Sequence, residues 1–565
     1  MGFSEYTYVR PSVKEVEAKF TALVEKFAKA TTADEQADVL NEINVLRNDV
    51  DTMGTIASIR QSIDTTDEFY NAEQEFFDEA GPVMQSFVTK LYKALLASPF
   101  RTELEEKYGK QFFLLAELEV KTFDDAVLED LQQENKLSSA YTNLRASAKV
   151  LFEGKEYTLA QLQPFMEDEN RERRKKAHEA YNSFFVENQE KFDDIYDKLV
   201  KIRSTIAKKL GFNNFVELGY ARMKRTDYNA EMVQAFRKQV EEIIVPVATK
   251  LRERQQERIG VDALRYYDGG VMFKSGNATP KGEPEWIIEK GANMYKELSL
   301  ETDEFFTFMR DNDLMDLVAK PGKAGGGYCT YLPNYKAPYI FSNFNGTSGD
   351  IDVLTHEAGH AFQVYSSRHI ETPECVWPTY EACEIHSMSM EFFTWPWMEG
   401  FFQEDTEKYY FDHLSGALLF IPYGVAVDEF QHVIYENPDF TPAERNLAWR
   451  EIEKKYLPHI NYDGFEYLEK GGFWQRQAHI YNGPFYYIDY TLAQICALQF
   501  WKRMHADRDD AWKDYVELCK QGGTKSFLEL VKVANLISPF EDGCVASVIG
   551  EIDSYLQSID DKVLV

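Results

Sequence analysis

Residues 356–360 read His-Glu-Ala-Gly-His, and no other stretch constrains the chain as tightly. On an α-helix, two histidines four apart lie about 40° apart around the axis, so both imidazoles leave one face and can meet a single metal ion. Glu357 is turned roughly 100° from His356, within reach of a water at the metal but poorly placed to ligate it. The spacing HExxH therefore predicts a zinc site, with His356 and His360 as ligands and Glu357 as general base.

A catalytic zinc needs three protein ligands and one open position. In the pattern HExxHxxGxxH the third ligand falls on residue 366, which is Ser, so that arrangement is excluded. A glutamate on a later helix is the alternative. Residues 380–391, YEACEIHSMSME, offer Glu381, Glu384 and Glu391, with Cys383 and His386 beside them. Glu384 and Glu391 are seven apart and share a helix face, and Glu381 lies close to it. Spacing alone leaves all three open, and any one of them could equally be a solvated or salt-bridged carboxylate.

The flanking sequence suits such a site. Residues 328–345, YCTYLPNYKAPYIFSNFN, have strand composition with a turn near Pro333-Asn334 and predict a β-hairpin. Ser348 is a candidate N-cap, and Asp350 and Asp352 fall in the first turn of a helix expected over about 349–367. A strand, a turn and then the HExxH helix would place an edge strand where an extended peptide could pair above the metal.

Elsewhere the periodicity is helical. Ser12/Glu15 and Thr32/Glu35 make capping boxes that open two amphipathic helices. The pattern continues through 55–145, with breaks expected near Gly81-Pro82 and Ser98-Pro99. Residues 149–158 predict a short hairpin, and Thr158 with Gln161 caps another helix. The basic run at 171–176 reads as a salt-bridged helix face rather than a binding patch. Gly- and Pro-rich loops are expected at 260–285 and 321–327, helix over 285–318, and almost all helix from 376 onward. The glycine-rich 321–327 stretch lacks the GKS or GKT of a phosphate loop. The expected architecture is mainly α, with an N-terminal helical lobe over 1–180 and a catalytic region over 181–565.

Composition limits the partners. With 62 basic and 94 acidic residues, the net charge of −32 disfavours nucleic acid and anionic membranes. No stretch is apolar enough to span a bilayer. The N-terminus lacks an apolar signal core, and the six cysteines form no CxxC, so a reducing cytoplasmic location is expected.

HEAGH, followed 24 residues after its second histidine by Glu384-Ile385-His386-Ser387 through Glu391, resembles the thimet oligopeptidase-like zinc metallopeptidases, closest to their oligoendopeptidase F branch. GGGYC at 325–329, KAPYIFSNFNGT at 336–347 and HIYNGPFYYIDY at 479–490 extend the similarity over roughly residues 200–565. The resemblance implies two mainly helical lobes around a deep channel, with a small zincin-like sheet beside the zinc helix. It implies that His356, His360 and Glu384 bind one zinc ion, that Glu391 orients a ligand, and that Glu357 is the base.

Residues 481–490 hold four tyrosines, which suits aromatic packing or phenol donors aimed at an oxyanion. By resemblance Tyr490 is the first choice of donor and Tyr487 the second, with His479 assisting, and Tyr481 and Tyr486 as substrate contacts. The expected reaction is endoproteolysis of short, unstructured oligopeptides by a Glu-activated water on zinc. The alternatives are a zinc carboxypeptidase of similar helical fold and a non-catalytic helical protein with a structural metal, which would need a fourth protein ligand. The sequence does not determine the oligomeric state.

Overall fold

The computed structural model of the protein describes residues 1–320, 323–324 and 326–564. Part of the expected loop at 321–327 therefore lies outside the described residues. The fold is mainly helical, with a two-stranded hairpin, β1 (Val150–Phe152) and β2 (Lys155–Tyr157), and one three-stranded sheet.

The first helices begin where the capping residues put them, although only the N-cap half of each expected box is made. Ser12 and Thr32 accept from the Glu15 and Glu35 amides and open helices Val13–Lys29 and Ala33–Ile63. Helix Glu68–Leu96, however, runs straight through Gly81-Pro82. It packs against three helices, Val13–Lys29, Ala33–Ile63 and Lys110–Thr122. That packing outweighs the local break. The stop near Ser98-Pro99 is real. These helices enclose a separate apolar core that includes Phe20, Leu40, Leu91 and Phe113. Helix Leu128–Ala146 packs instead on helix Gln189–Lys209 and joins the large core.

The basic run is a salt-bridged face. Arg171 and Arg174 both bind the buried Asp268, and Arg173 binds Glu153 and Asp168. This pins the start of helix Arg171–Glu187 to the loop at 260–285, which carries no strand.

Helix Pro284–Leu298 and helix Leu300–Asp311 come next, but the helical expectation for 285–318 overruns. Met315–Val318 is strand β3, parallel to β5. Its four residues can pair only because the chain returns beside them. β4 (Tyr328–Leu332) and β5 (Ala337–Phe344) form the expected antiparallel hairpin, and the sheet order is β3-β5-β4. β4 is therefore an edge strand. β5 is buried along nearly its whole length and packs under helix Gly349–Ser367, so the sheet fixes that helix in place. All six cysteines are free. Among the described residues, no helix is long and apolar enough to cross a membrane.

Candidate metal centre and active site

Helix Gly349–Ser367 carries His356, Glu357 and His360. Ser348 stands at its N-cap position but makes no side-chain cap. Asp350, inside the first turn, reaches back instead: its carboxylate accepts the Asn345 and Gly346 amides of the preceding turn at 2.8 and 2.7 Å. The turn from β5 into the helix is thereby locked.

Helix Tyr380–Phe393 crosses this helix at Gly359. A Cβ on Gly359 would lie 2.7 Å from both the His386 carbonyl oxygen and the Ser387 Cα. The missing side chain lets the two helices approach closely enough for Glu384 to meet the histidines. Gly359→Ala is expected to destabilise the fold by about 1–3 kcal/mol through overpacking. It is also expected to weaken metal binding. Thermal unfolding and chelator competition would measure the two effects separately.

His356, His360 and Glu384 are brought together, each offering a ligand atom within 4.8 Å of the others. Glu384 Oε2 lies 3.3 Å from His356 Nε2 and 3.6 Å from His360 Nε2. A tetrahedral ion with bonds of about 2.0–2.1 Å separates its donors by about 3.3 Å, so the set has the right size for zinc. Glu381 takes no part: it is fully buried, and burial holds its carboxyl well above the usual range. His386 turns its Nδ1 to the Ala382 carbonyl, and Cys383 its thiol to the Pro378 carbonyl.

The surroundings fix the protonation of the donors. His356 Nδ1 meets Glu391 Oε1 at 2.6 Å, which leaves Nε2 as the nitrogen that could face a metal ion. Glu391 Oε2 accepts from His413 Nε2 at 2.7 Å, and the Trp395 indole N–H donates to His413 Nδ1 at 2.9 Å. Sequence reasoning missed His413 and Trp395. His413 lies on the long helix Thr406–Glu436, which reaches the site only through the fold, and Trp395 is placed by its bond to His413.

Glu384 Oε2 accepts from the Ser387 hydroxyl, and Oε1 from the Tyr486 hydroxyl, both at 3.0 Å. Burial works against its charge, but His360 and His356 outweigh it and hold the carboxyl at about 2. Burial lowers His360 to about 4, so it is neutral and ready to ligate. Burial pushes Glu357 up to about 7, with Glu384 and Glu391 adding repulsion against the pull of His356.

The tyrosine segment is divided by the fold. Tyr481 is fully buried, stacked 3.8 Å from Tyr141, with its hydroxyl directed at the Phe192 carbonyl. The expected substrate contact by Tyr481 is corrected: it is a core residue. Tyr486 lines the cleft and donates its hydroxyl to Glu384. Tyr487 and Tyr490, on helix Tyr487–Ala506, line the site with His479. Tyr490 has ring centroids 5.8 Å from His479 and 4.9 Å from Tyr486. The Gln477 amide donates to His479 Nδ1 at 2.8 Å, and Tyr423 holds that amide's oxygen at 2.7 Å. His479 is thereby left with Nε2–H as a free donor. Tyr423 and Gln477 also escaped the sequence reading.

Two cavities flank the donors. One, of about 560 Å³, is lined by Gly327 and Cys329 of the edge-strand region, Glu357, Glu384 and Tyr486. The other, of about 510 Å³, is lined by Asp352, His413, His479 and Tyr487. Both reach His356 and Tyr490. The metal group thus lies between two halves of one cleft.

The profile of peptidase family M3 matches residues 164–277 and 289–548, and that of the peptidase M3 N-terminal domain matches residues 3–123. The chain belongs to peptidase family M3. It is a metalloendopeptidase hydrolase, and its relatives include oligoendopeptidases F. Oligopeptidase PepF of Bacillus subtilis is 23% identical over 558 residues, covering 91% of this chain and 80% of that protein. A solved structure of PZ peptidase A with an inhibitor is 65% identical, with a TM-score of 0.95 over 99% of this chain and 100% of that one. The oligoendopeptidase F of Enterococcus faecium, at 15% identity, shares the fold with a TM-score of 0.64, covering 97% and 99% of the two chains. The M3 matches cover both the N-terminal helices and the cleft.

Proposed function

We propose that this M3 peptidase is a zinc-dependent oligopeptidase that cuts internal bonds of short, unstructured peptides. The observation that carries the reading is the convergence of His356, His360 and Glu384 beside a buried Glu357. His356 through Nε2, His360 and Glu384 would hold the zinc. When bound, zinc supplies a Lewis acid that acidifies water and polarises a carbonyl.

The remaining steps belong to the chain. An extended peptide adds to the free edge of β4, which sets its scissile bond beside Glu357. Glu357, raised by burial to about 7, takes the proton of the attacking water and hands it to the leaving amine. A carboxylate with that proton affinity can both accept and return a proton near neutral pH. Tyr490 and the Nε2–H of His479 donate to the oxygen on which negative charge develops. Tyr487 supports their packing. Glu391, held by His413, orients His356 through its Nδ1 proton.

The two flanking cavities favour internal cleavage, since peptide can extend on both sides of the donors. The test uses a peptide of about ten residues blocked at both ends and a denatured protein of the same sequence type. Internal cleavage of the peptide, with the denatured protein cut far more slowly, is the expected result. An intact blocked peptide would instead indicate the carboxypeptidase alternative, and equal rates on both substrates would remove the length limit.

A further inference from the structure

Lys224 stands where the catalytic cleft opens into a further cavity. The 560 Å³ cavity beside Glu357 and a 550 Å³ cavity among the N-terminal helices share three lining residues: Lys224, Pro373 and Glu374. Lys224 is exposed there and carries a left-handed backbone, φ 56°. It lies just past helix Phe215–Arg222, where its amide donates to Ala221 and the Arg225 amide to Tyr220. This is the closure of a helix C-terminus at which glycine is the default residue, because a side chain is strained there.

The turn is fixed from the next residue onward. Arg225 is buried and donates to the Phe485 carbonyl at 2.5 Å and to Asp489 at 2.8 Å, both beside the tyrosine segment. The ammonium of Lys224 therefore projects from a rigid support.

Its charge is left over. Arg47, the other cation lining the inner cavity, is committed to Glu374 at 2.5 Å, and Glu374 also accepts the Tyr92 hydroxyl. Glu119 accepts from the Gln85 amide, and burial raises its carboxyl toward the neutral form against the pull of Lys224. Among the described residues, Lys224 forms no ion pair within 4.0 Å, in a chain with 94 acidic residues available.

We propose that Lys224 is a specificity residue that receives a carboxylate of the bound peptide, either its C-terminus or an acidic side chain. The proposal rests on the peptidase reading above. A peptide running from the edge of β4 toward the N-terminal helices brings one of its ends into the space that Lys224 borders.

Four peptides of one sequence test it: the free acid, the C-terminal amide, and two amides with glutamate or glutamine on the C-terminal side of the cleaved bond. The wild type is expected to show a KM about tenfold lower for the carboxylate member of one pair, the scale of a charge-assisted hydrogen bond. The free-acid pair reports the terminus and the Glu/Gln pair reports a side chain. No preference in either pair would overturn the proposal.

In Lys224→Gly, which removes the ammonium and relieves the backbone strain, the preference is expected to fall to within about twofold while the melting temperature holds or rises. Lys224→Arg is expected to keep the preference. Lys224→Glu is expected to reverse it, toward an amide carrying lysine at the tested position. A preference that survives intact in Lys224→Gly would also overturn the proposal. A wild type that cuts none of the four peptides would refute the peptidase reading, and this inference would fall with it.

Discussion

Glu357→Gln is expected to lower kcat by about 10²–10⁴-fold, the range that general-base catalysis supplies, while the protein keeps its metal. The substitution changes one atom, preserves volume and leaves His356, His360 and Glu384 untouched. Glu357 is only 9% exposed, so no second carboxylate can swing into its place without rebuilding the helix. Glutamine cannot accept the water's proton at any pH near neutrality. The loss should fall on kcat and on kcat/KM together, since the base acts in the transition state and not in binding. Metal content by atomic spectroscopy and steady-state kinetics on one peptide are the two measurements. Normal turnover with full metal would remove Glu357 as the base. Loss of metal would make it part of the donor set instead.

Removing the metal is the second large effect. Dialysis against a chelator is expected to abolish hydrolysis, and stoichiometric zinc to restore it. The metal-free centre is an ion-pair cluster. Burial disfavours a charge on His356, but hydrogen bonds to Glu384 and Glu391 overcome that and hold its pKa well above the ordinary histidine value. A proton therefore sits on Nε2 in the metal-free protein and must leave before that nitrogen can ligate. As pH falls, the proton competes better and zinc affinity drops, by about tenfold per pH unit while His356 is protonated in the metal-free state. His360, lowered to about 4 by burial, adds no such proton above that pH. Zinc should also raise thermal stability, by about 2.7 kcal/mol at a hundredfold excess over Kd. Competition with a chromophoric chelator across pH, together with melting curves with and without zinc, would check these expectations. Full activity after exhaustive chelation would exclude a catalytic metal.

Much of this centre was legible in the sequence, because HExxH is a local pattern. Two histidines four apart share a helix face whatever surrounds them. The N-caps at Ser12 and Thr32 and the β4–β5 hairpin were legible for the same reason, since their hydrogen bonds close within a few residues. The misreadings have a common cause. At Gly81-Pro82 a local break was overridden by packing on three helices. At Met315–Val318 a helical pattern gave way to pairing with a strand more than twenty residues later. At Ser348 the expected side-chain cap is not made, and Asp350 instead holds the turn before the helix through the Asn345 and Gly346 amides.

The site residues divide along the same line. Glu381, Glu384 and Glu391 were indistinguishable by spacing, and each has a different fate. Glu384 meets both histidines, Glu391 bridges His356 to His413, and Glu381 is buried with a raised pKa. Among the tyrosines, Tyr481 is turned into the core while Tyr490 faces both cavities, although only nine positions separate them. The cause is the break at Gly483, which ends the short helix Ala478–Asn482 before helix Tyr487–Ala506 begins.

The sequence by itself determined that a helix would present two imidazoles and a carboxylate, because helical geometry is set by the backbone. Only the tertiary structure decided which glutamate completes the set, which histidine proton is engaged, and which tyrosines reach the cleft. Those choices depend on helices meeting at a particular depth and angle, and the bare backbone of Gly359 is what lets the first two meet.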